Sequence, residues 1–435
     1  MIDLESFVYH VPFEKFVYRL DGTWQLHTPV GPKGLQHLLG SQGVDEEVIE
    51  ATLKGQHYHV TIGFDTFPND KPLVTKPSGR YLNVWTPPTL AAPMGPSSYE
   101  RILDLLSWLC NDDPKAIEWL FYWLAQKVQS PGLLPGIAPV FGTLPGSGKG
   151  TLYEIVATIL GVENCRIVTR TQLESRFNPF VKSLFVLGDE IKSHEAQREI
   201  AETLKGYITS PTVNLENKNQ NGQDVTNRMA WMFASNDRLA PVTIEQGDRR
   251  YSVFSNYRPI SEEHRNMLRS MREPGTNRWS DAFLEEIRGF WWECLNLAID
   301  VEFVSKPYDN GARTTLIESS LPAYEGFLRE LHEFGIDPML EKLLDSRDGF
   351  GLKATRLGWD GGFHGVQKEL VYKCFVAYCE ESGRKPIARN KFAAALANGT
   401  PPLEDARVTL QGKTVRVYVV PRAQNFTEDR IFSAA

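Results

Sequence analysis

A chain of 435 residues, 42% of them apolar, can bury a large core and is long enough for two or three domains. Its net charge of −7 excludes a histone-like binder that is basic throughout, so any contact with nucleic acid has to come from a local patch. The five cysteines (Cys110, Cys165, Cys294, Cys374, Cys379) form no C-x-x-C pair and fit reduced thiols, Asp3 and Glu5 exclude a signal peptide at the start of the sequence, and no run reaches the ~18 apolar residues of a membrane span, so the expectation is a soluble, cytoplasmic protein.

Residues 1–86 alternate short apolar runs with turn residues. Phe16–Tyr18, His57–Ile62 and Tyr81–Trp85 read as strands and Lys33–Leu39 as a helix, together a small mixed α+β domain. The Pro-rich stretch from Pro87 to Pro96 reads as a linker. A helical lead-in follows over 98–136. Ser98 can cap a helix that carries Ile102, Leu105, Leu106 and Leu109 on one face, and Asp113-Pro114 starts a second helix through Val128. Trp119, Leu120, Trp123 and Leu124 are read as packing residues and not as a base-stacking surface.

From Ala138 to about Asn256 short apolar strands alternate with helices, the pattern of an α/β domain with a parallel sheet, assigned to 137–300. The strand Ile137–Phe141 runs into Pro145-Gly146-Ser147-Gly148-Lys149-Gly150-Thr151 and then into a helix at Leu152–Val156. Strand, glycine-rich loop and helix in that order make a phosphate-binding loop, because glycines let successive N–H groups turn toward phosphate and the helix N-terminus adds its dipole. Lys149 is placed on the β- and γ-phosphates of ATP and Thr151 beside Mg²⁺. Thr143 stands where the strict pattern has glycine, and Gly150 where it has Ser or Thr.

The strand Ser183–Gly188 ends in Asp189-Glu190. Asp189 suits a hold on Mg²⁺ and Glu190 a base that orients the attacking water. A further apolar run, Met229–Ala234, ends in Ser235-Asn236, whose amide can read the γ-phosphate. Arg249 and Arg250 follow Gly247-Asp248 and precede the strand Tyr251–Phe254; arginine offers a planar, permanently charged fork for phosphate, and Asp248 or Glu245 offers the alternative of a surface ion pair. Trp279–Ala298 reads as a helix and 301–365 as an irregular connection.

Residues 366–422 read as a separate module: helices at Val366–Cys379 and Arg389–Ala397, then a hairpin of Arg407–Leu410 and Thr414–Val420 turned by Gln411-Gly412-Lys413. Over 366–420 nine Lys or Arg face five acids, a local +4 in an acidic chain. The arrangement resembles a winged helix, and Arg389, Lys391 and Lys413 are the candidate contacts to DNA.

The ordered set of Gly146–Thr151, Asp189-Glu190, Ala234-Ser235-Asn236 and Asp248-Arg249-Arg250, with the lead-in ending Trp123-Leu124-Ala125-Gln126, resembles the superfamily 3 helicases, AAA+-like hexameric motors of viruses, phages and plasmids. It looks most like the helicase halves of phage and poxvirus primase-helicases. The resemblance covers roughly residues 98–256. It implies a ring with ATP and Mg²⁺ at subunit interfaces, Asn236 as phosphate sensor, an arginine finger given in trans, and a hairpin between Glu190 and Asn236 that reaches into the channel. Asn221-Gly222 is a tight-turn dipeptide in that region and Lys218 sits near the tip. The implied partners are single-stranded and forked DNA, further copies of the chain, and a separate primase or polymerase, in a phage- or plasmid-infected bacterial cell, because the first 86 residues show no acidic catalytic cluster. Two readings of other classes remain open: a replication initiator or loader that forms a ring without strong unwinding, and a small-molecule kinase with a similar loop.

Overall fold

Alternation of apolar residues at the amino end builds two small sheets in the computed structural model. It describes residues 6–421 apart from 21–22, 27, 56, 192–196, 217–221, 237–243, 245–246, 321, 346–356, 360–362, 383–384, 399–401 and 411–412. Strands β1 (Phe7–His10), β2 (Lys15–Leu20), β3 (Thr23–Trp24) and β4 (His59–Thr61) line up in the order β3-β2-β1-β4. Helices α1 (Pro32–Ser41) and α2 (Glu46–Lys54) pack on one face, where Phe7, Phe16, Leu35, Leu39 and Ile49 form a small core. The second helix was not expected, although its start is written in the sequence: Asp45 caps it by accepting from the Glu47 N–H at 2.8 Å. Strands β5 (Gly63–Asp65), β6 (Leu73–Lys76) and β7 (Gly79–Asn83) form the second sheet, in the order β5-β7-β6.

The other faces of these sheets do not stand free. Val8, Val17, Trp24, Phe64 and Leu82 share one apolar cluster with Ala138, Val140 and Trp231 of the central sheet. Thr86 exchanges hydrogen bonds with Asn164, N–H to Oδ1 at 3.0 Å and Nδ2–H to carbonyl at 2.6 Å, and Leu90 is buried, so the Pro-rich stretch is packed against the domain it leads to.

The lead-in consists of α3 (Glu100–Leu109) and α4 (Pro114–Gln129). Tyr99, not Ser98, is the N-cap of α3, and its side chain makes no capping bond. Asp113 caps α4 by accepting from Lys115 N–H and Ala116 N–H at 3.0 and 3.3 Å. Trp119 and Trp123 are fully buried, their indole N–H groups on the carbonyls of Lys306 and Ile137, which confirms them as packing residues.

The central sheet is built from β8 (Ala138–Thr143), β9 (Cys165–Val168), β10 (Phe185–Asp189), and, after a further pair β11 (Thr212–Leu215) and β12 (Gln223–Thr226), β13 (Ala230–Ser235) and β14 (Tyr251–Asn256). Its order is β14-β8-β13-β10-β9 and every neighbouring pair is parallel. The helices α5 (Lys149–Leu160), α6 (Arg170–Leu173), α7 (Gln197–Thr209), α8 (Glu262–Ser270) and α9 (Asp281–Asn296) connect or cover it. Then α10 (Val301–Val304) and α11 (Gly311–Ser320) follow.

The chain divides into two compact units, Met1–Ser319 and Ser320–Ala435. In the second, α12 (Ala323–Phe334), α13 (Asp337–Asp345), α14 (Lys368–Glu381) and α15 (Arg389–Asn398) share a core with an antiparallel sheet of β15 (Leu357–Trp359), β16 (Phe363–Gln367), β17 (Glu404–Leu410) and β18 (Lys413–Pro421), in the order β15-β16-β18-β17. The described part of residues 301–365, expected to be irregular, therefore contains four helices, β15 and the start of β16, and Val366 lies in β16 rather than in the helix after it. Among the described residues no helix is long and apolar enough to cross a membrane.

Candidate nucleotide-binding site

In the sheet order β8, β13 and β10 are neighbours, so their carboxyl ends place Thr143, Ser235-Asn236 and Asp189-Glu190 side by side. That edge of a parallel sheet, with the loop to α5 above it, is where ligands of open α/β sheets bind. The loop turns through two glycines in the left-handed region, Gly146 at φ 79° and Gly148 at φ 101°. At Gly148 a β-carbon would stand 2.5 Å from Leu105 Cδ1 and 3.2 Å from Leu268 Cδ2, so α3 and α8 close on the loop from behind, and any side chain here would have to displace Leu105 and accept a strained backbone. No side chain caps α5, which leaves the first N–H groups of this 12-residue helix for an anion.

Lys149 folds over this loop. Its ammonium donates to Thr143 O at 2.9 Å, Thr143 Oγ1 at 3.0 Å, Leu144 O at 3.4 Å and Asn236 Oδ1 at 3.0 Å. Thr143 Oγ1 also lies 2.6 Å from Ser147 Oγ. Burial lowers the Lys149 pKa below the ordinary lysine value, against the opposing charges of Glu190 and Asp189. Across from it, Glu190 adopts φ 47°, sparsely populated for a residue with a side chain. This turn folds the residue back onto β13. Its N–H donates to Ala234 O at 3.1 Å, and its carboxylate accepts from Ser235 Oγ–H at 3.0 Å and Asn236 N–H at 2.8 Å.

The Asp189 carboxylate takes no hydrogen bond or ion pair from the described residues. Burial, with the neighbouring Glu190 charge, raises its pKa, and Lys149 opposes the rise. A site with this excess of negative charge fits a hard divalent cation, which would take its remaining ligands from phosphate and water; among the described residues no three His, Cys, Asp or Glu side chains converge to cage a metal by themselves. Thr151 is the third residue of α5, half-buried, and Pro145, Gly146 and Gly150 are exposed while Ser147 is buried.

One contact was invisible in the sequence. His264 of α8 donates from Nε2–H to Ser147 O at 3.0 Å, which fixes its tautomer, and its ring stacks 4.2 Å from that of Trp108. Burial lowers its pKa, while the Ser147 bond and Asp104 oppose. Nothing in the local sequence marks this histidine; only the packing of α8 against the loop does.

Arg249 and Arg250 lie elsewhere. Tyr251 pairs with Ala138 and Asn256 with Thr143, so the two arginines stand at the amino end of β14, about 16 Å along the strand from the phosphate loop. Arg249 is exposed. Arg250 is half-buried and held by Asp248, which accepts from its N–H at 2.9 Å and its Nη1–H at 3.2 Å.

Between Glu190 and Asn236, β11 and β12 form the antiparallel hairpin that was expected. Where it approaches its turn it is held on both sides: Asn178 donates to Asn214 O at 2.8 Å and accepts from Glu216 N–H at 2.7 Å, and Gln223 donates to Phe64 O at 2.9 Å. Lys218 lies outside the described residues. In the second unit Arg389 and Lys391 are exposed on the first turn of α15, and Lys413 pairs with Leu410 where β18 begins.

Residues 140–250 match the model of a family described as "Family of unknown function (DUF5906)". The sequence is 25% identical over 271 residues to the DNA primase-polymerase of Nitratiruptor phage NrS-1, a match over 61% of this chain and 36% of that protein. The match thus spans about a third of that relative's length. Two apo structures of the NrS-1 C-terminal region superpose on the chain with TM-scores of 0.65, at 20% and 19% identity; each alignment covers 95% of this chain, and 95% and 96% of theirs. The X-ray structure of JCV helicase aligns with only 52% of this chain and 60% of its own at a TM-score of 0.27, so the resemblance to superfamily 3 helicases stands on the motifs. The chain has the fold of the NrS-1 C-terminal region and is similar in sequence to a phage replication protein.

Proposed function

We propose that the chain is an ATP-hydrolysing DNA helicase of superfamily 3 type, which forms a hexameric ring and translocates on single-stranded DNA in phage- or plasmid-type replication. The observation that carries the reading is the network at the carboxyl ends of β8, β13 and β10, in which Lys149, Asn236 and Glu190 are joined by direct hydrogen bonds. Lys149 exchanges its oxygen partners for the β- and γ-phosphate oxygens of ATP, and the N–H groups at the start of α5 hold the phosphates. Asn236 stays within reach of the γ-phosphate, and Glu190 orients a water and takes its proton as that water's oxygen bonds to the γ-phosphorus. The bond to the β–γ bridging oxygen breaks, leaving ADP and phosphate. Thr151 and Asp189 are the residues that would hold Mg²⁺, which when bound neutralises charge on the phosphates.

The position of the arginines supports a finger given in trans, since Arg249 is far from its own loop and open to a neighbouring subunit. Arg250, tied to Asp248, fixes the entry to β14. Exposed Arg389 and Lys391, with Lys413, are the proposed contacts to forked DNA, and Lys218 the contact in the channel. A separate primase or polymerase is the proposed partner, in the cytoplasm of the host. The test is turnover: Lys149→Ala should abolish ATP hydrolysis with the fold intact, and Glu190→Gln should keep ATP binding, lose hydrolysis by about 10²-fold or more and remain trapped on DNA. Near-normal turnover in either variant overturns the site.

A further inference from the structure

A second concave site lies on the opposite edge of the same unit. Arg166 is the second residue of β9, and Lys182 closes the 3₁₀ turn Pro179–Lys182 that leads into β10, so both stand at the amino ends of the strands whose carboxyl ends carry the ATP site. They line a cleft of about 300 Å³ together with Trp24, Trp85 and Glu163. That is the lower end of the range for small-ligand sites.

The charges in the cleft are unbalanced. Arg166 donates to two backbone carbonyls, Glu163 O at 3.0 Å and Cys165 O at 2.7 Å, and to no carboxylate. Among the described residues Lys182 has no ion pair or hydrogen bond for its ammonium, which sits 4.9 Å from the ring of Phe64. Burial, with the adjacent Arg166 charge, lowers Lys182 to about 8, so it still carries its proton at neutral pH. Glu163 contributes one carboxylate at the rim but pairs with neither cation. Two adjacent cations with no carboxylate partner, Lys182 half-buried and Arg166 exposed, suit an anion bound between them. Two tryptophans share the remaining wall with Gln25, Leu26, Asn83, Val84 and Thr86: Trp85 is half-buried, and Trp24 is buried with its indole N–H unpartnered. A cationic pair beside an indole face is the chemistry of phosphate plus stacked base.

We infer that this cleft is a second nucleotide site, in which Lys182 and Arg166 take a phosphate and Trp85 takes the base. A nucleoside 5′-phosphate can arrive free or as one residue of a single strand. The site is independent of the phosphate loop and stands or falls separately from the motor reading.

The experiment uses the full chain and two probes, thymidine 5′-monophosphate and a 15-mer oligothymidylate, each titrated into wild type, Arg166→Gln, Lys182→Gln, the double variant, Lys182→Arg and Lys149→Ala. The double variant should lose roughly tenfold or more in affinity for at least one probe, and Lys182→Arg should retain it. For the oligomer, loss of the one phosphate that the pair holds lowers the slope of log affinity against log salt by about 0.7 in the double variant, and Arg166→Gln alone lowers it by less. Trp85→Leu should weaken binding roughly tenfold through lost stacking. Monophosphate binding that survives Lys149→Ala identifies free nucleotide as a ligand; an effect on the oligomer alone identifies a strand. Arg166 is exposed, so Arg166→Gln is expected to fold even where Lys182→Gln does not, and its DNA-free ATP turnover should match wild type. Unchanged affinity for both probes and an unchanged salt slope in Arg166→Gln and the double variant overturn the site, whatever the ATPase assays show.

Discussion

Lys149 is satisfied by four oxygens before any phosphate reaches it, two of them from Thr143. The departure at Thr143 was visible in the sequence, but its effect was not: the hydroxyl fills the space that glycine would leave and ties loop, lysine and Ser147 together. A second buried group gives a measurable acid limit. His10 is fully buried, with Nδ1 2.9 Å from Thr61 Oγ1 and Nε2 unpartnered, and burial lowers its pKa from 6.5 to about 4. In the unfolded chain this imidazole binds a proton from about pH 6.5 downward, in the folded chain only near 4. Unfolding therefore takes up a proton in that window, and stability falls as pH falls through it. The shift corresponds to about 3 kcal/mol at the acid end. Urea denaturation of the wild type at pH 6.5 and pH 4 should show this loss, and His10→Met should lack it; an equal slope in both would assign the acid limit to other groups.

The carboxyl-terminal hairpin shows what an element reveals beyond its residues. The two flanking runs were legible from alternation, while Gln411 and Gly412, read as the turn between them, lie outside the described residues. The register was not, and it sets Arg407 directly opposite Arg416, both exposed. Like charges opposite each other on one face destabilise a ladder. Arg416→Glu should stabilise this unit by about 0.5 kcal/mol, read as a small rise in its melting temperature, and weaken binding to forked DNA with a flatter salt dependence. A variant that gains stability and binds as before would remove the hairpin from the DNA surface. Other elements escaped for physical reasons. Strand β16 pairs with β18, some fifty residues later, so no local pattern announces it. Helix α12 was legible in hindsight, since Phe327, Leu328 and Leu331 recur at helical spacing, but Gly326 within it and Pro322 before it read as breakers.

At the level of the whole chain, the motifs located the strands that carry the proposed ATP site, and the parallel order β14-β8-β13-β10-β9 explains why residues nearly a hundred positions apart meet. The same order separates Arg249 from that site, which no motif could show, because distance along β14 becomes visible only once its register with β8 is known. With Arg249 as the proposed finger, the active site of the proposed ring would be a product of two chains. Arg249→Ala and Lys149→Ala should each be nearly inactive, yet mixtures should recover part of the ATPase, since some interfaces then pair an intact loop with an intact arginine. The measurement is rate against mixing ratio with single-stranded DNA present. No recovery in rings shown to exchange subunits would count against the finger in trans. The N-terminal sheets, read from sequence as a domain of their own, share their core with the central sheet because their second faces are as apolar as their first.

That shared core has a mechanical consequence for the β11–β12 hairpin. A two-stranded ribbon is marginal by itself, but this one is mounted at Asn178 on one side and at Phe64 on the other. A beam pinned beside its turn transmits load instead of swinging, so displacement of the Leu215–Gln223 pair is passed toward the central sheet through one strand and to the amino-terminal sheet through the other. Amide hydrogen exchange should register the mounting: Gln223→Ala should speed exchange in Gln223–Thr226 more than in Thr212–Leu215, because it releases only the amino-terminal support.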